Sequence, residues 1–233
     1  MWWRALGVAV VLLCAGVAGG YAVADRSEEK PARSDVLSPV TGHDPAVPTP
    51  PVVQVVPDPD TEPLAPDQTV EPTELRLTNR GPGASVSVPV GWVEVRADPG
   101  DTWTFAPQPS VKNTYVLRVN VMLGQHVSVG VAKTARMAAL ESLEDDGNAQ
   151  DLQFTAETDD SIQASYVDVG GYRRVTLERW LEGADGLAYL DIAVTGRVRD
   201  QVGLEDLIAR VAESAVQLEA LPPKESESPT QEP

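Results

Sequence analysis

Cysteine occurs once in this 233-residue chain, histidine twice and phenylalanine twice. A lone Cys14 cannot close a disulfide within the chain, and a zinc site of Cys or Cys/His type lacks ligands. His43 and His126 leave little room for imidazole chemistry. Basic residues are also scarce: 18 Lys and Arg stand against 35 Asp and Glu, a net charge of −17. Binding nucleic acid by phosphate neutralisation needs a basic field, which this composition excludes. No G-x-S-x-G, P-loop or G-x-G-x-x-G motif occurs. These absences lead to the expectation of a protein that is not an enzyme and uses no cofactor or metal.

What is present is unevenly spread. Residues 1–24 carry Arg4 and no acid, whereas residues 25–72 carry 10 acids against 3 bases. Ala5 to Ala24 is an uncharged run of twenty residues, about the length that crosses a hydrocarbon core as a helix. With Arg4 on the short side, the positive-inside rule puts everything after Asp25 outside the cytoplasm. Ala22-Val23-Ala24 also reads as a signal-peptide cleavage site, so a retained transmembrane anchor and a cleaved signal peptide both fit. Lipidation of Cys14 is disfavoured because Leu13, a large residue, precedes it. All three readings export the chain: a single-pass membrane protein with an extracytoplasmic domain, or a secreted one if cut after Ala24.

Residues 25–72 hold 11 prolines and no aromatic residue. Segments such as Pro45-Ala46-Val47-Pro48 and Pro57-Asp58-Pro59-Asp60 resist helix and sheet alike. With so little apolar surface, an acidic and disordered linker is expected here. Val52-Val53-Gln54-Val55-Val56 reads as a spacer between prolines. The tail, residues 222–233, reads as disordered for the same reasons.

Residues 73–221 are long enough for one domain without disulfide support. Tyr115, Leu117, Val119, Val121 and Leu123 alternate with more polar residues, the period of a half-buried strand. Ser128 is placed to cap a helix through about Glu144, with a stripe of Val131, Ala132, Ala135, Ala139, Leu140 and Leu143. Short strands at Leu152–Glu157 and Ile162–Val169 follow. Gly170-Gly171 turns the second into Tyr172–Leu181, and Glu182–Gly186 turns that into Leu187–Thr195. Ala188, Leu190, Ile192 and Val194 share a face there. Asp200 is placed to cap a last helix with a stripe from Val202 through Leu207 and Val211 to Leu218, and Asp206 and Arg210 pair along it. Strands, helix, strand meander and helix make an α+β domain.

Pro89-Val90-Gly91-Trp92, following an alternating strand at Ala84–Val88, resembles the P-x-G-W turn of the PsbP-like superfamily. The later order of strand, helix, hairpins and C-terminal helix is similar as well. Over residues 73–220 the chain is nearest in style to the LpqN-type envelope lipoproteins of actinobacteria. The resemblance implies an antiparallel sheet sandwiched by helices and a non-enzymatic binding or assembly role. Leu13-Cys14 departs from the lipobox of those lipoproteins, so their lipid anchor does not carry over.

Candidate binding residues are aromatic or cationic. Trp103, Phe105 and Trp180 stand out in an aromatic-poor chain as walls of a groove. Arg174 belongs with Arg173 and Arg179 to a basic strand that either forms a patch or pairs across strands with Asp168 or Asp191. Glu141, Glu144, Asp145, Asp146 and Asp151 do not have the spacing of a calcium loop and read as a solvated helix end. The expected function is an exported, tethered binding or assembly module of the envelope. Its partner is an envelope protein, with membrane contact through residues 5–24. The alternative is a carrier of a lipid or other apolar small molecule, walled by Trp103 and the helix at 128–144.

Overall fold

The computed structural model describes residues 53–97, 100–108 and 115–222. The segment at 1–24, most of the linker and the tail beyond Pro222 lie outside the described residues. No helix among the described residues is long and apolar enough to cross a membrane.

Two antiparallel sheets and two helices build the domain. Strands β1 (Val70–Arg76), β2 (Gly83–Pro89) and β10 (Val216–Leu218) form a small sheet in the order β1-β2-β10. Strands β3 (Trp92–Ala97), β4 (Thr102–Pro107), β5 (Val116–Val121), β6 (Ala149–Glu157), β7 (Ser161–Asp168), β8 (Arg173–Glu182) and β9 (Ala188–Arg197) form the large sheet. Its order is β3-β4-β5-β9-β8-β7-β6. Helix α1 (Val129–Asp145) joins β5 to β6, and helix α2 (Gln201–Ser214) follows β9. The expected α+β class holds, with two antiparallel sheets where a single one was anticipated. Both outer strands of the large sheet are irregular. Register shifts break β3 between Glu94 and Arg96, and β6 between Gln150 and Gln153 and again between Phe154 and Ala156.

Alternation decides what each face meets. Leu117, Val119 and Val121 of β5, with Leu190, Ile192 and Val194 of β9, point into the main core. There they meet Val86 and Val88 of β2 and Leu204, Leu207 and Val211 of α2. The small sheet and α2 therefore cover one face of the large sheet. On the opposite face, Val129, Ala132 and Leu140 of α1 pack over Met122, Ile162, Ala164, Trp180 and Ala188. Strands β8 and β9 are thus buried on both sides. Ala188, expected beside Leu190, belongs to this second core, past a register shift between Leu181 and Glu182.

Several expectations need correction. Ser128 does cap α1, its hydroxyl accepting from the Val131 amide at 3.4 Å. The buried stripe is not the expected one, however: Val131 is 57% and Leu143 37% exposed. Arg136 is turned inward instead, because its guanidinium reaches a buried glutamate on the sheet. Helix α2 stops at Ser214, since Ala215 has extended backbone and Val216–Leu218 pairs with β2. Asp200 makes no side-chain cap to α2; its carboxylate is engaged elsewhere. Finally, order begins well before residue 73. Leu64 is 4% exposed in the main core, and Val56 forms a parallel bridge to Tyr172, its amide donating to the Gly171 carbonyl at 2.8 Å. Gly171 makes that turn with φ +81, and a Cβ there would come within 2.9 Å of the Val56 side chain.

Candidate functional site

The expected site residues are not brought together. Trp103 is partly buried against the main core and Phe105 is buried within it. Trp180 lies in the other core, under α1, at 2% exposure. Arg174 is buried on the same face as Trp180, its guanidinium 5.1 Å from the centre of the Tyr172 ring. Its Nε donates to Asp168 at 2.9 Å, one of the two pairings expected. Arg173 and Arg179 pair with Asp151 and Asp160, so β8 presents paired cations and not a bare patch. Trp92 stacks on Tyr115 with 5.5 Å between ring centres. His126 is exposed, with φ 51, in the loop before α1. No group of three or more His, Cys, Asp or Glu able to hold a metal occurs among the described residues.

Two polar assemblies lie against the large sheet, the first on its α1 side and the second reaching round to α2. The first centres on Glu178, which has no exposed surface. Arg136 reaches down from α1 and donates to both of its carboxylate oxygens at 2.8 to 2.9 Å, and Arg118 of β5 donates to Oε2 at 3.0 Å. Bidentate geometry of this kind is what lets a guanidinium offset its own desolvation. Asp191 lies on the intervening strand β9. Arg118 comes no nearer to it than 3.5 Å, and its Oδ1 has no hydrogen-bond partner. Asn120 is its register partner on β5, and that residue's Oδ1 is likewise unpaired. Burial pushes the Asp191 carboxyl up to about 7, with the charge of Glu178 adding to the shift and Arg118 and Arg136 opposing it. Protonated, Asp191 gains a donor where two unpaired acceptors stand on neighbouring strands.

The second assembly holds the approach to the domain. Arg197 is fully buried and paired with Asp200, both contacts at 2.8 Å. Burial raises the Asp200 carboxyl, but the Arg197 guanidinium and the amides of Leu64 and Arg197 outweigh it and keep the group below its ordinary value. The rest of the Arg197 guanidinium is spent on residues 59–62. Nη1 donates to Thr61 Oγ1 at 2.5 Å and to the Pro59 carbonyl at 3.3 Å, and Nη2 to the Glu62 carbonyl at 2.9 Å. Arg199 donates to the Pro59 carbonyl at 2.6 Å and also to that of Thr61. Arg174 reaches Asp58 at 3.5 Å. Leu64 closes the seam: its amide donates to Asp200 Oδ1 at 2.9 Å, and its carbonyl lies 2.2 Å from where a Cβ on Gly203 would sit.

Sequence reading singled out neither the Arg118–Glu178–Arg136 cluster nor Arg197. The signals were weak but present: Arg118 and Asn120 interrupt β5, Glu178 interrupts β8, and Arg197 precedes Asp200 by three residues.

No family model matches the chain, and no curated protein matches it in sequence. Among solved structures it is similar to the Ran-binding protein Mog1p of Saccharomyces cerevisiae, at 10% identity and a TM-score of 0.42, over 64% of this chain and 96% of that one. A mutant form of Mog1 gives the same identity and TM-score over 97% of its length. LpqN of Mycobacterium tuberculosis, described as involved in cell envelope biogenesis, is similar at 16% identity and a TM-score of 0.38, over 65% of this chain and 93% of that one. These similarities place the chain in no family.

Proposed function

We propose that the chain is an exported, membrane-tethered binding or assembly module of a bacterial cell envelope, acting without catalysis on a protein partner. The uncharged run at residues 5–24 supports export, and the acidic, proline-rich stretch after it supports a spacer. The observation that carries the reading is the grip of Arg197, Asp200 and Arg199 on residues 59–64. A domain that buries an ion pair to fix the end of its own linker holds that linker at a set point and in a set direction. That is useful to a module presented on a tether.

The alternative, an apolar-ligand carrier with Trp103 and α1 as walls, is not favoured. Trp103 faces the core beneath α2 and the small sheet, whereas α1 covers the opposite face.

Fractionation with protease protection tests the proposal. In a bacterial host the full chain is expected in the membrane fraction, with the domain digested by protease added to intact spheroplasts. Deleting residues 1–24 is expected to leave it cytosolic and protected. A full-length chain found soluble in the cytosol refutes the reading, and a native N-terminus at Asp25 replaces the anchor with a cleaved signal.

A further inference from the structure

We infer that the arginine row Arg174–Arg197–Arg199 is a binding site for an extended acidic peptide. Residues 54–62 are its resident occupant, and the same segment of a second copy of this chain is its exchange partner. The inference concerns the domain in solution and stands apart from whether the chain is exported.

Four observations carry it. First, the contacts are those of a receptor with a peptide. The guanidinium groups read main-chain carbonyls at Pro59, Thr61 and Glu62, the Thr61 hydroxyl, and carboxylates at Asp58 and Asp60. Second, residues 54–62 contribute almost nothing to the core: Val55 and Val56 are 46% and 41% exposed, and Leu64 is the first side chain seated in it. The segment is held by cations and by one backbone bridge, Val56 to Tyr172, and can leave without opening the main core. Third, its prolines at 57 and 59 restrict the free segment to extended backbone, which lowers the entropy lost on binding. Fourth, Arg197 cannot be left bare. Nη1 has acceptors only on residues 59–61, and although Asp200 keeps Nε and Nη2 paired, giving up the Nη1 acceptors is unfavourable. Departure of the resident segment is therefore favoured by a replacement that offers the same groups. An identical segment from a neighbouring chain offers them at no net loss of contacts, the condition under which an element swaps between copies.

The test uses the full chain in detergent micelles and a fluorescent peptide of residues 53–66. Weakening the resident segment by Asp58→Asn, Asp60→Asn and Thr61→Ala leaves the arginines intact. The peptide is expected to bind this chain at least about tenfold more tightly than the wild type, the scale of one charge-assisted hydrogen bond. Adding Arg199→Ala, at a half-exposed position, is expected to reverse the gain, and a peptide of reversed sequence is expected not to bind. In parallel, two differently tagged wild-type chains are expected to co-purify and the Arg199→Ala pair is not. Equal binding to wild-type and weakened chains, or equal binding of the reversed peptide, overturns the site. Peptide binding without co-purification overturns the second copy as its exchange partner.

Discussion

Asp191 makes stability depend on pH in a direction opposite to that of most carboxylates. Its folded value is about 7 against an ordinary 3.8, so the folded chain holds a proton that the unfolded chain releases. Stability is then highest below the unfolded value, falls as pH rises between about 4 and 7, and the contribution is gone above 7. At about 1.4 kcal/mol per pH unit, moving the carboxyl from 3.8 to about 7 amounts to roughly 4 kcal/mol. That figure is an upper limit, since the surroundings of a buried carboxylate relax around its charge. Asp191→Asn keeps the shape and removes the titration. Urea unfolding of both proteins at pH 5 and pH 8 isolates the effect, because all other groups are common to the two. Near pH 5 the variant is expected to match the wild type within about 1 kcal/mol, an amide replacing a neutral carboxyl. At pH 8 it is expected to be more stable by about 2 to 4 kcal/mol, the cost of the buried charge having been removed. A variant-minus-wild-type difference that is the same at both pH values refutes the reasoning, and so does a wild type that gains stability between pH 5 and 8 relative to the variant.

Two further substitutions probe the fastenings of the fold. Glu178→Gln leaves Arg118 and Arg136 without their shared anion and is expected to cost about 3 to 5 kcal/mol; amide exchange in α1 should rise more than in α2, because Arg136 ties α1 to the central strand β8, whereas Lys133 and Glu144 reach only the outer strand β6. Gly203→Ala sets a methyl group against the Leu64 carbonyl, 2.2 Å away. It is expected to cost about 1 to 3 kcal/mol and to accelerate amide exchange at residues 62–66, while a change confined to α2 argues against the seam.

The strands of the domain were legible wherever alternation continued unbroken, as in β5, and the hairpin at Gly170-Gly171 was legible from its glycines. The faces of the helices were less so. In α1 an apolar count selects Val131 and Leu143, but Arg136 is drawn to Glu178 and rotates the buried face toward itself. Spacing alone carries α2 on to Leu218, because 211, 215 and 218 continue its stripe. The pairing of Val216–Leu218 with β2 wins instead, a tertiary contact outweighing local preference. Aromatic scarcity drew attention to Trp103, Phe105 and Trp180, and nothing in their spacing says that the sheet sends the first two to one face and the third to the other. The docking of residues 53–64 was hidden for a simpler reason: Pro-Asp-Pro-Asp resembles any solvated linker until Arg197 and Arg199, some 140 residues later, supply what it binds.

The broken registers of β3 and β6 have a bearing on life in a crowd. These are the two outer strands of a seven-stranded sheet, the places where a neighbouring strand could add on. A flush partner strand needs an unbroken ladder, and one register shift in β3 and two in β6 deny it that. Copies held side by side at high density can meet edge to edge without fusing into a continuous sheet. The irregularities therefore work against growth of one sheet onto the next, whatever other contacts two copies make.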